Sequence, residues 1–124
     1  MTTYEASCHC GRVRCRFDSE PITKGMRCNC SICVRKGAVM SDRYYGPEEF
    51  VVIEGEVGTY QFGDRDVVHC FCTTCGISPF NLIASVPEGY TGPAKPGYRR
   101  VNLGCVHDLD VDGLEIRLVD GRSF

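Results

Sequence analysis

Alternating apolar and polar positions dominate the hydrophobic pattern of this 124-residue chain, and they predict strands instead of long helices. Val13, Cys15 and Phe17 alternate with three arginines, which is the period of a strand with one buried face. The other segments that we predict as strands are residues 38–40, 50–53, 59–62, 66–72, 78–83, 99–103 and 114–118. The chain is therefore expected to be mainly β.

Three local patterns refine this expectation. Residues 50–53 are apolar without interruption, which is typical of a strand buried on both faces. Residues 59–62 and 66–72 are separated by a short glycine-containing turn, so we predict a β-hairpin. One short helical turn is predicted from Ser31 to Lys36, ended by Gly37 in a left-handed conformation.

The length predicts a single domain over residues 1–124, with room for a modest core. Residues 86–97 hold three prolines and three glycines, so this segment is predicted to be a loop. No internal repeat and no linker between domains interrupts the pattern.

Charge and composition exclude several classes of function. The net charge of −2 and the pI near 5.9 give no electrostatic basis for binding nucleic acid or an anionic membrane. No apolar run approaches the roughly 18 residues of a membrane span, and residues 1–6 do not form a secretory signal. We therefore expect a cytoplasmic protein.

Ten cysteines are present, and seven of them lie in short metal-knuckle spacings. Because nothing directs the chain to an oxidising compartment, we predict metal ligands in preference to disulfides or a redox thiol pair. Cluster I comprises Cys8, Cys10, Cys72 and Cys75, and cluster II comprises Cys28, Cys30 and Cys33. Four thiolates complete a tetrahedral zinc site, whereas three leave one position open. The prediction is two zinc ions, one structural at cluster I and one chemically available at cluster II, although iron–sulfur ligation uses the same residue type.

The open position of cluster II has four candidate occupants within the chain. They are Cys70, Cys105, His69 and His107. Cys70 is the most serious of them, because in an extended strand it shares a face with Cys72. Cys15 and Cys105 are predicted to be core residues, since they continue inward-facing alternation.

An open zinc held by three thiolates favours thiol chemistry. A substrate thiol in the fourth position has its pKa lowered by the metal, and its thiolate can add to a small aldehyde. Zinc-bound water is the alternative nucleophile, but three thiolates make the metal less electrophilic than three histidines do. A non-catalytic binding module with two structural zinc sites is the alternative function.

The cysteine motifs stand in the order S-C-H-C-G at 7–11, C-N-C-S-I-C at 28–33 and F-C-T-T-C-G at 71–76, followed by V-N-L-G-C at 101–105 and D-G-R at 120–122. Together they resemble the glutathione-dependent formaldehyde-activating enzyme family, which also includes centromere protein V. The resemblance implies a small zinc-stabilised β-tent-like fold, with zinc-ribbon-like knuckles on antiparallel sheets and few short helical turns. It assigns structural zinc to cluster I and catalytic zinc to Cys28, Cys30 and Cys33, while Cys15 and Cys70 lie outside the family's pattern.

The resemblance also implies an activity and its partners. The family's named reaction condenses formaldehyde with glutathione to S-hydroxymethylglutathione and is classed as a carbon–sulfur lyase activity. Glutathione carries two carboxylates, and the nearest downstream cations are Arg35, Lys36 and Arg43. Tyr44 or Tyr45 is a candidate hydrogen-bond donor to an oxyanion. Exposed strand edges of a small β domain are compatible with a homodimer.

Overall fold

The computed structural model describes residues 1–123, which form ten strands and one α-helix. The elements are β1 (Thr2–Ser7), β2 (Arg14–Ser19), β3 (Lys24–Cys28), α1 (Ser31–Lys36), β4 (Met40–Ser41), β5 (Phe50–Glu54), β6 (Val57–Tyr60), β7 (Val67–Cys72), β8 (Phe80–Ile83), β9 (Arg99–Val101) and β10 (Glu115–Val119). Short 3-10 helices occupy Leu103–Cys105, Val111–Gly113 and Gly121–Ser123. No helix in residues 1–123 has the length and apolarity that a membrane crossing requires. The predicted mainly β fold is confirmed.

The strands form three small sheets, in the orders β1-β2-β5, β10-β3-β4 and β6-β7-β8-β9. Neighbouring strands are antiparallel throughout the described chain except for β3 and β10, which are parallel. Isolated bridges tie the sheets together, among them Ala6 to Val106 and Met40 to Asn102. The sheets therefore surround one shared core.

Residues of β2 contribute to this core as their alternation predicts. Cys15 and Phe17 of β2, and Val13 just before it, are each at most 1% exposed. The Phe17 ring packs on Tyr45 at 4.9 Å, and Phe50 packs on Phe80 at 5.0 Å. Rings at these separations add about 0.5–1.5 kcal/mol per pair beyond the burial of their apolar area. The aromatic pairs thus join the β1-β2-β5 sheet to the rest of the core.

The prediction that residues 50–53 form a buried strand is wrong in its burial. They do form β5, but Val51, Val52 and Ile53 are 46%, 37% and 43% exposed. The reason is that β5 is the edge of its sheet and pairs only with β2. Phe50 alone is buried, so the apolar run marks an edge strand.

The predicted hairpin and helix are both present. Strands β6 and β7 pair antiparallel, with Val57 opposite Cys72. Helix α1 ends where Gly37 adopts φ 64°, and the Gly37 N–H donates to the carbonyl of Cys33. Because a left-handed residue ends the helix, α1 is confined to less than two turns beside cluster II.

Candidate metal centres

Cluster I brings together two turns that are distant in sequence. Its four sulfurs lie within 4.8 Å of one another, although Cys10 and Cys72 are separated by 62 positions. The Cys10 sulfur is 3.7 Å from that of Cys8 and 3.6 Å from that of Cys72. Tetrahedral zinc with Zn–S bonds of about 2.3 Å requires sulfur–sulfur distances of about 3.8 Å. The donor set and its spacing therefore fit a four-thiolate zinc.

The two turns of cluster I are built alike. Cys8 follows β1 and Cys72 ends β7, and each turn is followed by a glycine with positive φ, Gly11 at 82° and Gly76 at 81°. Their N–H groups donate back to the carbonyls of Cys8 and Cys72, respectively. Further N–H groups point at the sulfurs, from Val13 to Cys8 at 3.3 Å and from Thr74 to Cys72 at 3.3 Å. Such hydrogen bonds stabilise thiolate charge.

Cluster II lies at the junction of β3 and α1. Its three sulfurs are also within 4.8 Å of one another. Cys28 ends β3, Cys30 is the N-cap of α1, and the Cys30 N–H donates to the Cys28 sulfur at 3.4 Å. Gly121 covers one side, since a Cβ at this position would collide with the Cys28 sulfur and lie 3.1 Å from the Cys30 Cβ. Only glycine fits there without displacing a ligand.

Asn29 fastens the C-terminal segment to cluster II. Its side-chain amide donates to Asp120 at 2.8 Å, and its side-chain oxygen accepts from the Arg122 N–H at 2.9 Å. Its backbone N–H donates to the carbonyl of Val119. Sequence reasoning did not assign a role to Asn29, Asp120 or Gly121, and the D-G-R motif was the signal that pointed to this segment.

The surroundings of the cluster cysteines shift the pKa values of their thiols in opposite directions. Burial favours the neutral form of Cys30, but N–H groups of Cys33 and Ile32 outweigh it and lower the pKa of Cys30. Burial, reinforced by neighbouring Cys30 and Cys28, raises the pKa of Cys33 to about 12. In cluster I, hydrogen bonds led by the backbone N–H of Cys10 lower the pKa of Cys75 to about 6. Closely packed sulfurs resist joint ionisation, and a divalent cation is the group that reverses this.

The two cysteines considered as a fourth ligand of cluster II lie in the core. The thiol of Cys70 donates to the carbonyl of Val68 at 3.7 Å and is buried. Burial raises the pKa of Cys70, and burial raises the pKa of Cys105 to about 11. Within residues 1–123, neither sulfur joins the metal-compatible group of cluster II.

The two candidate histidines are engaged elsewhere. His69 Nδ1 accepts a hydrogen bond from the Lys36 ammonium at 2.9 Å. His107 Nε2 is paired with the hydroxyl of Ser7 at 2.8 Å. Burial, together with the neighbouring Lys36 charge, lowers the pKa of His69 to about 4, so the ring is neutral. In the described part of the chain, cluster II thus has three ligand side chains.

Two clefts flank α1, and we call them the cluster II cleft and the His69 cleft. The cluster II cleft has a volume of about 320 Å³ and is lined by Cys28, Cys33 and residues of β10. The His69 cleft has a volume of about 390 Å³ and is lined by Lys36, His69 and Tyr60, among others. Both volumes are at the lower end of the range of small-molecule sites.

The predicted cations on α1 occupy different environments. Arg35 is exposed, and its guanidinium donates to the Ser31 carbonyl of its own helix at 2.8 Å. Lys36 is half-buried and turns its ammonium towards the sheet. Both residues line the His69 cleft.

The remaining predicted contacts lie in other networks. Arg43 pairs with Glu49 at 3.7 Å. The Tyr45 hydroxyl is buried against Ser19 at 2.8 Å, and the Tyr44 hydroxyl accepts from Arg100 at 2.9 Å. None of these predicted contacts lines either described cleft.

A small β protein that gathers four cysteines at one point and three at another defines a class, the cysteine-rich β proteins whose clusters could hold a metal ion. Within that class, the sequence model of the glutathione-dependent formaldehyde-activating enzyme matches residues 3–112. The chain belongs to this family.

A solved structure with the same fold supports the assignment. The crystal structure of a Rhodobacter sphaeroides protein, a structural genomics target, is 26% identical in sequence to this chain. The similarity covers 91% of this chain and 99% of that protein, with a TM-score of 0.72. The β architecture described above is therefore shared with an experimentally determined structure.

Proposed function

We propose that this protein is a zinc-dependent carbon–sulfur lyase that forms or cleaves the S-hydroxymethyl adduct of a small thiol, as in S-hydroxymethylglutathione synthesis. The observation that carries the proposal is cluster II, where three sulfurs converge beside a cleft without a fourth ligand side chain in the described chain. Family membership supports glutathione and formaldehyde as the substrates.

The two clusters take different roles in this proposal. Cluster I holds a structural zinc, and Cys28, Cys30 and Cys33 hold a catalytic zinc. A zinc ion held by Cys28, Cys30 and Cys33 would supply a Lewis acid that lowers the pKa of a substrate thiol. The chain orients this site through the Cys30 N–H, which donates to the Cys28 sulfur, and through Gly121, which closes one side.

The reaction needs no oxidant. The thiol sulfur forms a bond to the aldehyde carbon, the carbonyl π bond breaks, and the thiol proton ends on the new hydroxyl oxygen. The cluster II cleft receives the sulfur and carbon, since Cys28 and Cys33 form part of its wall. Val34, Leu118 and Val119 in the same wall keep that face partly apolar, which limits competing hydration of the thiolate.

The predicted cations that would bind the carboxylates of the thiol substrate lie in the wall of the His69 cleft, across α1 from the cluster II cleft. We assign the direct contact to Arg35, because its exposed guanidinium makes only one described hydrogen bond, to its own helix. Lys36 contributes positive charge from its half-buried position on the same turn. Arg27, which lines the cluster II cleft, is a third cation that sequence reasoning did not consider.

We also place the reaction in the cytoplasm. All ten cysteines are free thiols in the structure, which suits a reducing compartment. The partners are then a small-molecule thiol and an aldehyde, with neither nucleic acid nor membrane involved. Pairing of exposed β5 edges from two copies is a route to a homodimer.

NMR exchange spectroscopy tests the activity directly. The exchange rate between formaldehyde and its glutathione adduct is measured with the zinc-loaded protein and with Cys30→Ala. We expect the protein to accelerate exchange and Cys30→Ala to return it to the uncatalysed rate.

Cys70→Ala is the matched control, because it removes a sulfur that lies outside both clusters. We expect this variant to retain the acceleration. Equal exchange rates with wild-type protein, with Cys30→Ala and without protein would exclude the lyase activity and leave the binding module with two structural zinc ions.

A further inference from the structure

Helix α1 is held on the body of the protein with little apolar packing. None of its six residues is buried, so apolar burial contributes little to holding it in place. Yet α1 carries Cys33 and is capped by Cys30, two of the three cluster II ligands. Another interaction must fix the helix on the body of the protein.

The Lys36 ammonium makes that connection. It donates to Nδ1 of His69 at 2.9 Å, to the side-chain oxygen of Asn81 at 3.1 Å and to the hydroxyl of Ser78 at 3.3 Å. An ammonium has three donors, and all three are used. His69 lies on β7, Asn81 lies on β8, and Ser78 lies between the two strands. One side chain thus ties α1 to the four-stranded sheet.

Two of these acceptors, His69 and Asn81, are buried polar side chains. His69 and Asn81 are 6% and 8% exposed, and they are two of the four buried polar residues in the described chain. Buried polar groups are costly unless they are hydrogen-bonded. Their burial therefore serves to receive Lys36.

The charge of Lys36 is not neutralised by this network. All three acceptors are neutral, and Lys36 has no ion pair with an aspartate or glutamate within residues 1–123. The groups whose negative charge would favour the charged form of Lys36 are cysteines, and Cys33 and Cys30 among them belong to cluster II. Cys33 stands three positions before Lys36, on the same face of the helix.

We propose that Lys36 is a positioning residue for cluster II, which docks α1 on the sheet and supplies the counter-charge to three thiolates around a divalent ion. Three thiolates carry one more negative charge than zinc neutralises, and a substrate thiolate in the fourth position adds another. A fixed, half-buried cation stabilises both arrangements. The inference rests on the proposed zinc at cluster II.

Zinc affinity resolved by site tests this role. Chelators of graded strength are titrated against the zinc-loaded protein, and Cys30→Ser identifies which of the two release steps belongs to cluster II. For Lys36→Met, which keeps the length of the side chain and removes its charge, we expect cluster II to bind zinc about 10- to 100-fold more weakly. Cluster I in the same molecules should keep its wild-type affinity.

Two further variants separate charge from general damage. Arg35→Met removes the neighbouring exposed cation and should leave cluster II affinity within about twofold of wild type. Lys36→Arg keeps the charge and should recover most of the affinity lost in Lys36→Met. An unchanged cluster II affinity in Lys36→Met, or equal weakening of both clusters, would overturn the proposal.

The test also distinguishes the role of Lys36 from the proposed function. A wild-type protein that binds zinc only at cluster I would refute the catalytic zinc itself. Wild-type protein with two zinc ions and a Lys36→Met variant of equal affinity would refute only the inference about Lys36.

Discussion

Replacing Cys10 with serine removes one of the four sulfurs of cluster I and weakens the proposed zinc cross-link between the turns after β1 and β7, which Cys8, Cys72 and Cys75 still span. Cys10 is exposed, so the serine hydroxyl is not buried and the substitution itself costs little. The loss of stability should therefore report the cross-link. Cys30→Ser in cluster II is the matched comparison, since it also removes one thiolate from a predicted zinc site.

The magnitude follows from the sequence separation of the ligands. Treating the ion as a cross-link over the 62 positions between Cys10 and Cys72 gives about 4 kcal/mol at 25 °C from chain entropy, which is the upper limit of the loss and applies to a variant that no longer holds the ion. Cluster II instead lies within residues 28–33, so the unfolded chain retains its ligand spacing and also binds zinc there. Binding to the unfolded state cancels much of the stabilisation. We expect Cys30→Ser to cost below about 1 kcal/mol.

Urea unfolding at a fixed free zinc concentration measures both variants. With a slope of about 2 kcal/mol per molar, Cys10→Ser should lower the urea midpoint by up to about 2 M, the full shift being reached when the variant no longer holds the ion. In excess chelator, wild type and Cys10→Ser should unfold together, which attributes the difference to the metal. A loss of stability in Cys30→Ser that equals or exceeds that of Cys10→Ser would refute the cross-linking argument.

Three further predictions concern individual side chains. Gly121→Ala forces a methyl group against the Cys28 sulfur, so in chelator titrations it should weaken zinc binding at cluster II but not at cluster I. A cluster II affinity equal to that of the wild type would contradict this prediction. Because the pKa of His69 is about 4 in the folded protein, its unfolded form binds more protons below pH 6.5. Between pH 6.5 and 4, the free energy of unfolding of the wild type should fall by about 3 kcal/mol more than that of His69→Gln. Urea unfolding that gives the same pH dependence of stability for both proteins would refute this prediction. Ile53→Lys on exposed β5 should change stability by less than about 0.5 kcal/mol, whereas Phe50→Ala should cost about 3–5 kcal/mol. Similar costs for the two would contradict the edge position of β5.

Local patterns in the sequence are sufficient to predict most of the strands and the helix. The alternation in β2, the β6–β7 hairpin and the glycine stop after α1 each depend on neighbouring residues, so periodicity and turn chemistry predict them. The same holds for the membership of each short cysteine group, because C-x-C and C-x-x-C spacings bring their sulfurs together locally.

Features that depend on distant segments were not predictable in this way. The parallel pairing of β3 with β10 and the exposure of β5 are decided by which strands occupy the sheet edges. The contact between Asn29 and Asp120 spans 91 positions, so no pattern among neighbouring residues predicts that the C-terminal segment covers cluster II. The inward direction of Lys36 depends on acceptors supplied by β7 and β8, and its sequence neighbours do not reveal it.

Sequence separation also supports the two different roles that we propose for the clusters, catalytic for cluster II and structural for cluster I. Exchange of a ligand at cluster I would release two turns that the chain connects only through 62 intervening positions, and it would weaken the whole fold. At cluster II the ligands come from a single strand–helix junction, so a ligand can enter or leave while β3 stays paired with β10. The remaining risk is that α1, which has no buried residue, moves with its cysteines. Docking by Lys36 removes that risk without apolar packing, which leaves the clefts on either side of the helix free for substrate.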